Sequence, residues 1–434
     1  MKVKRVLSFL AVGAILSNSL IGCGKSEDSD VSGGASASFS GTEEKVKIVW
    51  GSGQSTTGGK QAIIDAFNQS QDKIELVNVE LSSDATEQHD TYVTSFAAGS
   101  NDYDIISSNV PWPGEFSQAG YALAVDRYLE RDGINMDDYL PGYVDAYTFQ
   151  GQMWGMPVFG NVALLYYRKD LIETPPTTWD ELIEMAKENV GKEGTEYGYL
   201  IQAAQYEGLT CNTVDMIAAY GGDIIDGDGN VVVDCQGTVD ALTEMRKFVT
   251  EGLLPDDVTT HQEANSADLF MAGKAVFMRN WPAQWMSIQD PEKSKVVDKV
   301  GYCALPAGSE RSAAILGGWG IMIYSGTEHP DEAWEAVKFI SGKEGQKLYA
   351  TEDLQMPTMI SLYEDEEVVA ASPVFDGLLD AAMTAVKRPV TPIYNQISEI
   401  MQIEVTGVLV GDTTPEDAAK NMQDKMEQAV KDNT

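Results

Sequence analysis

The 434-residue chain carries 67 acidic against 30 basic side chains, a formal charge of −37, with 43% hydrophobic residues and only four cysteines. That charge disfavours nucleic acid, which needs basic surface to neutralise phosphates, and broad docking onto anionic lipid heads. Three isolated histidines (His89, His261, His329) and no cysteine–histidine cluster of zinc spacing argue against a metal site or a histidine-based triad.

Read in chain order, Lys2, Lys4 and Arg5 precede an apolar run from Val6 to Leu16, and Leu20-Ile21-Gly22-Cys23 follows. A basic start, a short apolar core and a small residue before a cut form a secretory signal. The run is shorter than the roughly 20 residues of a membrane span. Leu-Ile-Gly-Cys resembles the lipobox of bacterial lipoproteins. The resemblance implies cleavage of residues 1–22, acylation of the Cys23 thiol, and a mature chain at the extracellular face of the cell membrane, held there by lipid. An ordinary signal with an incidental cysteine is the alternative. Gly24 to Gly41 is rich in Ser, Gly, Asp and Ala and cannot offset its ordering entropy. Residues 23–44 are therefore expected to be a flexible tether.

The remaining body is too long for one typical core, so two lobes are expected. Strand Val46–Trp50, helix Lys60–Gln69, strand Ile74–Leu81, helix Thr86–Ala98 and strand Asp104–Ser108 alternate. This order predicts crossover units and a mainly parallel sheet. Trp154 to Arg168 reads as a long extended apolar stretch. Thr178 and Glu181 form a capping box ahead of helix Trp179–Asn189. Further on come helices Thr238–Glu251 and Ala264–Met271 and strand Lys274–Met278, which leads to Arg279-Asn280-Trp281-Pro282. Gly317-Gly318-Trp319-Gly320 precedes strand Ile321–Tyr324, helix Asp331–Ile340 follows, and the tail is helical from Ser398 to Leu409 and Pro415 to Lys431. Cys211, Cys235 and Cys303 leave an odd number after Cys23. One pair could close, Cys211 and Cys235 being the nearer, but connectivity does not follow from sequence. Asp226-Gly227-Asp228-Gly229-Asn230 lacks the closing glutamate of an EF-hand loop and is expected to be a turn.

Several segments in this order resemble extracellular solute-binding proteins of carbohydrate ABC transporters. They are Phe116-Ser117-Gln118-Ala119-Gly120-Tyr121 with Val125-Asp126, and Thr177-Thr178-Trp179-Asp180-Glu181-Leu182. Phe277-Met278-Arg279-Asn280-Trp281-Pro282, Gly317-Gly318-Trp319 and Arg388-Pro389-Val390-Thr391-Pro392-Ile393-Tyr394 are similar to the trehalose/maltose-binding branch. The resemblance implies an α/β, two-lobed fold of the type II periplasmic-binding-protein kind. Several chain crossings would form its hinge, and a ligand cleft would lie between the lobes. The expected division is residues 45–158 and 317–360 in one lobe, and 159–316 and 361–434 in the other, with crossings near Val158 to Val162, near Leu316 to Ile321, and between Met356 and Ser372.

A sugar ring offers apolar C–H faces and a rim of hydroxyls, which suit aromatic rings and planar polar groups respectively. Trp281 and Trp319 resemble the family's stacking tryptophans; interior packing is the plainer alternative. Arg388 aligns with an arginine that bonds sugar hydroxyls, with a surface salt bridge as its alternative. Asn109 and Asn161 align with sugar-bonding aspartates. An amide also donates, so the hydroxyl pattern recognised is expected to differ. Gly318 lets backbone come close to a ligand. Trp112, the Gly51 to Gly59 loop and the backbone amides near Lys60 are further candidates for the cleft.

The reading is a lipid-anchored, monomeric binding component of an importer. It is expected to take an oligosaccharide, a small α-linked glucoside, and to pass it to permease subunits, with no cofactor, no metal and no catalysis. A secreted glycoside hydrolase and a binder of a non-sugar solute are the rivals.

Overall fold

The computed structural model describes residues 45–54, 58–371, 373–375 and 378–433. The signal, Cys23 and the tether lie outside the described residues. Twelve strands occur among the described residues: β1 (Val46–Gly53), β2 (Ile74–Leu81), β3 (Ile105–Asn109), β4 (Thr148–Phe149), β5 (Gln152–Met153), β6 (Met156–Val162), β7 (Leu164–Arg168), β8 (Tyr197–Leu200), β9 (Ala275–Asn280), β10 (Val300–Cys303), β11 (Leu316–Ile323) and β12 (Met356–Pro357). A six-stranded sheet has the order β12-β6-β11-β3-β1-β2, a four-stranded sheet the order β10-β7-β9-β8, and β4 with β5 makes a small hairpin.

The parallel pairs are those linked by a helical crossover. Helix Gly59–Ser70 connects β1 to β2 and helix Ala85–Ala97 connects β2 to β3, so both partners run parallel to β1. The expectation of a mainly parallel sheet is corrected for the rest. β11 runs antiparallel to β3 and β6, and β12 antiparallel to β6. These strands return from long excursions instead of following a single crossover, so their direction is not tied to β1. The second sheet is mixed for the same reason: only β8 and β9 are parallel.

The apolar stretch Trp154 to Arg168 is not one strand. It breaks at Ala163, with β6 in the first sheet and β7 in the second. The six-stranded sheet thus keeps the chain to Val162, beyond the expected boundary at 158. Helix Glu366–Ala371 packs on helix Lys343–Glu352 and stays with that sheet, although the expected division gave residues from 361 onward to the other lobe.

The capping box forms: Glu181 N donates to Thr178 Oγ1 at 3.2 Å and Thr178 N to Glu181 Oε2 at 3.3 Å, opening helix Trp179–Asn189. Ile48, Trp50, Phe67, Ile105, Ile321 and Trp334 anchor the core around the first sheet. Leu165, Trp179, Phe248, Phe277 and Met401 anchor the core around the second. Each such fully buried aliphatic or aromatic side chain contributes about 1.5–3 kcal/mol. The C-terminal helices Tyr394–Val410 and Pro415–Asp432 pack on each other and on helix Gln236–Thr250. Cys211, Cys235 and Cys303 are all free thiols. Asp226 accepts from the backbone N–H of Asp228 and Asn230, which makes its loop a turn.

Candidate functional site

A cavity of about 320 Å³ lies between the two sheets. Ligands of open α/β folds collect beyond the carboxyl ends of strands, and here the end of β1 supplies Ser52 and Gly53. One wall also carries Ser107 of β3, Phe159 and Asn161 of β6, Trp319 of β11, and Tyr349, Asp353 and Gln355 from the end of helix Lys343–Glu352 onward. The other carries Glu263, Asn280, Trp281 and residues of the short helix Gln284–Ile288.

Trp281 is held from several sides. Its backbone N–H donates to Asn280 Oδ1 at 2.8 Å, and its carbonyl accepts from the Tyr166 hydroxyl at 2.9 Å. The indole Nε1 donates to Glu263 Oε1 at 3.2 Å, while Glu263 Oε2 accepts from the Tyr206 hydroxyl at 2.6 Å. The Arg279 guanidinium sits 4.1 Å from the ring centroid. A Cβ at Gly317 would come within 2.9 Å of the indole, so glycine there is what lets the ring lie against β11.

Trp319 meets Trp112 edge to face at 5.3 Å. Trp112 itself is buried behind it and does not line the cavity. Gly318 has φ of +132°, and a Cβ there would meet Phe159 O at 2.5 Å. The glycine serves the close approach of β11 to β6 and is not part of the cavity wall. Beside it the Tyr143 hydroxyl donates to Gly317 O at 2.9 Å and accepts from Asn161 N at 3.1 Å, which fixes the Asn161 backbone at the cavity.

Asn109 and Arg388 stand together but away from this wall. Arg388 Nη2 donates to Asn109 Oδ1 at 2.9 Å, and Nη1 is paired with Glu207. Glu207 also accepts from the Tyr394 hydroxyl and from Ser398 Oγ at 2.6 Å. All these groups are buried. The network joins the end of β3 to helix Glu207–Ala219 and helix Tyr394–Val410. Of the sequence candidates, the structure therefore brings Asn161, Trp281 and Trp319 to one cavity and places Asn109, Gly318 and Arg388 behind it.

The cavity also holds groups that sequence reasoning missed. Gln88 Oε1, Asn161 Oδ1 and Gln355 Oε1 are buried acceptors with no hydrogen-bond partner, and all three residues line the cavity. Glutamines carry no motif, so nothing in the sequence singles out Gln88 or Gln355. Lys60 donates from Nζ to Gly53 O. Burial pushes its pKa down to about 8, against the opposing pull of Glu80 and Asp353. The Gly59 amide at the start of that helix donates to Asp353 Oδ1 at 2.7 Å, so it is already engaged by a side chain. No group of three or more metal-ligating side chains converges among the described residues. The lining joins flat rings with amide and hydroxyl side chains, which suits a neutral polyhydroxyl compound.

Residues 51–347 match the family of bacterial extracellular solute-binding proteins. A probable ABC transporter-binding protein of Deinococcus radiodurans is 33% identical over 367 residues, 81% of this chain and 86% of the relative. The solved structure of maltose-bound MalE3 of T. maritima superposes with a TM-score of 0.83 at 35% identity, covering 88% of this chain and 100% of that one. The GacH receptor of Streptomyces glaucescens, solved unliganded and in complex with acarbose and an acarbose homolog, superposes with a TM-score of 0.80. At 23% identity, covering 90% of this chain and 100% of that one, this is a likeness of fold.

Proposed function

The chain belongs to the bacterial extracellular solute-binding proteins that serve ABC transporters, and from that premise we propose that its cavity takes a short oligosaccharide, an α-linked glucoside. The observation that carries this reading is the meeting of the rings of Trp281, Trp319, Phe159 and Tyr349 with the amide side chains of Gln88, Asn161 and Gln355 in the lining of one cavity. A primary amide both donates and accepts, which matches the hydroxyl rim of a sugar. The rings meet the C–H faces. The volume of about 320 Å³ lies at the small end for ligand sites and favours a short saccharide. The likeness to a maltose-bound protein supports the α-glucoside.

The ligand spans both walls and favours the arrangement in which they are close; the protein releases it unaltered to a permease. The two carboxylates at the wall support binding over hydrolysis. Glu263 is occupied by Tyr206 and Trp281, and Asp353 by the Gly59 amide. The lobes are residues from 45 to about 162 with 316 to about 384, since helix Leu378–Thr384 packs on β6, and the intervening and C-terminal remainder. Acylated Cys23 anchors a monomer to the outer face of the membrane.

Calorimetry with maltose, trehalose, longer glucosides, amino acids and short peptides tests the reading. Saccharide binding is expected, with Trp281→Ala and Trp319→Ala each losing roughly 30-fold in affinity, or about 2 kcal/mol. Binding confined to amino acids or peptides would sink it. New reducing ends on incubation with oligosaccharides would favour a hydrolase. Cys23→Ser is expected to move the protein from membranes to the soluble fraction.

A further inference from the structure

Two helix N-caps face each other at the rim of the cavity. Asp84 caps helix Ala85–Ala97: its Oδ1 accepts from Thr86 N at 2.8 Å and Glu87 N at 3.2 Å. Gln262 caps helix Glu263–Met271 through a reciprocal box with Asn265, whose Oδ1 accepts from Gln262 N at 3.0 Å. The capping oxygens leave one group free on each residue, and those groups meet. Gln262 Nε2 donates to Asp84 Oδ2 at 2.7 Å.

The first helix packs on the six-stranded sheet and the second on the four-stranded one. The bond therefore crosses from one wall to the other. The neighbouring residues Ser83 and Glu263 both line the cavity, and Glu263 holds the Trp281 indole. The contact is half-buried and one partner is ionised, which makes it stronger than a neutral surface bond.

We propose that Asp84 and Gln262 form a latch between the lobes, a positioning pair that favours the closed arrangement and slows escape of the ligand. The inference rests on the reading of the cavity as a site that closes on its solute. The latch contributes with or without ligand, because neither side chain needs the solute to make the bond. It also couples closure to the platform, since Gln262 begins the helix that fixes Trp281.

The test uses substitutions that preserve both caps. Gln262→Glu keeps a capping oxygen but sets a carboxylate against Asp84. Asp84→Asn keeps a good N-cap and supplies an amide donor. Together they rebuild the bond with donor and acceptor exchanged. Small-angle X-ray scattering of the ligand-free full chain should show a larger radius of gyration for Gln262→Glu than for wild type. The double variant should return to the wild-type value, and added salt should shrink the single variant's effect. With maltose as probe, Gln262→Glu should dissociate roughly tenfold faster, and the double variant should recover most of that loss. Identical scattering from all three proteins, or a double variant as open as the single, would overturn the latch. A latch seen in scattering with no saccharide bound by wild type would instead count against the proposed ligand.

Discussion

The Arg279 guanidinium stacks 4.1 Å from the centre of the Trp281 ring while bonding twice, at 2.9 and 3.1 Å, to the buried carboxylate of Asp215. The other Asp215 oxygen accepts from the Ile315 amide at 2.7 Å, where the chain returns toward the six-stranded sheet. Burial raises the Asp215 pKa, and Arg279 and the Ile315 amide pull it back. The cavity's tryptophan is thus backed by a cation whose own place is set from the interior.

Arg279→Met strands the Asp215 charge in the core. Removing one partner of a buried pair costs about 3–5 kcal/mol, whereas replacing both by apolar groups of similar volume is near neutral. The urea midpoint should fall sharply for Arg279→Met at constant slope, and Arg279→Met with Asp215→Leu should recover most of the loss. Equal loss in the single and double variants would show that shape, not charge, matters there.

Asn161→Ala should separate stability from binding. The ligand-free protein loses an unpaired acceptor, so its stability should hold or rise by up to about 1 kcal/mol. Affinity for the bound saccharide should fall about tenfold, as the cavity lining loses an amide. Thermal denaturation and calorimetry on the same preparation read the two effects.

Gly318→Ala should be costly because of strain and collision together. Its φ of +132° is a region that side-chain-bearing residues rarely adopt, and the new Cβ would press on Phe159 O at 2.5 Å. A loss of more than about 2 kcal/mol is expected. Gly120→Ala is the control: φ is +72° with open space around, so only about 1 kcal/mol should be lost. Denaturant titration of both variants makes the comparison.

Lys60 gives a pH signature. Its folded pKa of about 8 lies below the ordinary value of 10.5 because burial penalises the charged form. Between those values the unfolded chain binds more protons than the folded one, so stability rises with pH across that window. Below pH 8 both states are charged and the full penalty is present. Wild type should therefore gain on Lys60→Met by about 2 kcal/mol between pH 7.5 and 10. A constant difference between the two proteins across that range would show that Lys60 is not desolvated.

Much of the fold is legible along the chain because it is local. The capping box at Thr178 and Glu181, the amphipathic helix from Trp179 and the alternation of elements up to β3 depend on residues a few positions apart, and these segments form where their patterns place them. The order of motifs, from the segment at Phe116 to that at Arg388, points to the family before any coordinates. Trp281 and Trp319 are recognisable through their resemblance to the family's stacking tryptophans, each in a motif that the order of segments places. The rest is settled only when distant segments meet. The direction of β11 depends on where the chain returns after β10, and no local propensity encodes that. Asn109, at the end of a strand, could face solvent or interior equally well; packing turns it to Arg388, and Glu207, from a helix far away in sequence, completes that network. Gln88, Gln355 and Lys60 carry no pattern of their own. Their roles come from burial and from unpaired hydrogen-bonding capacity, which are properties of the folded surroundings and not of the residues themselves.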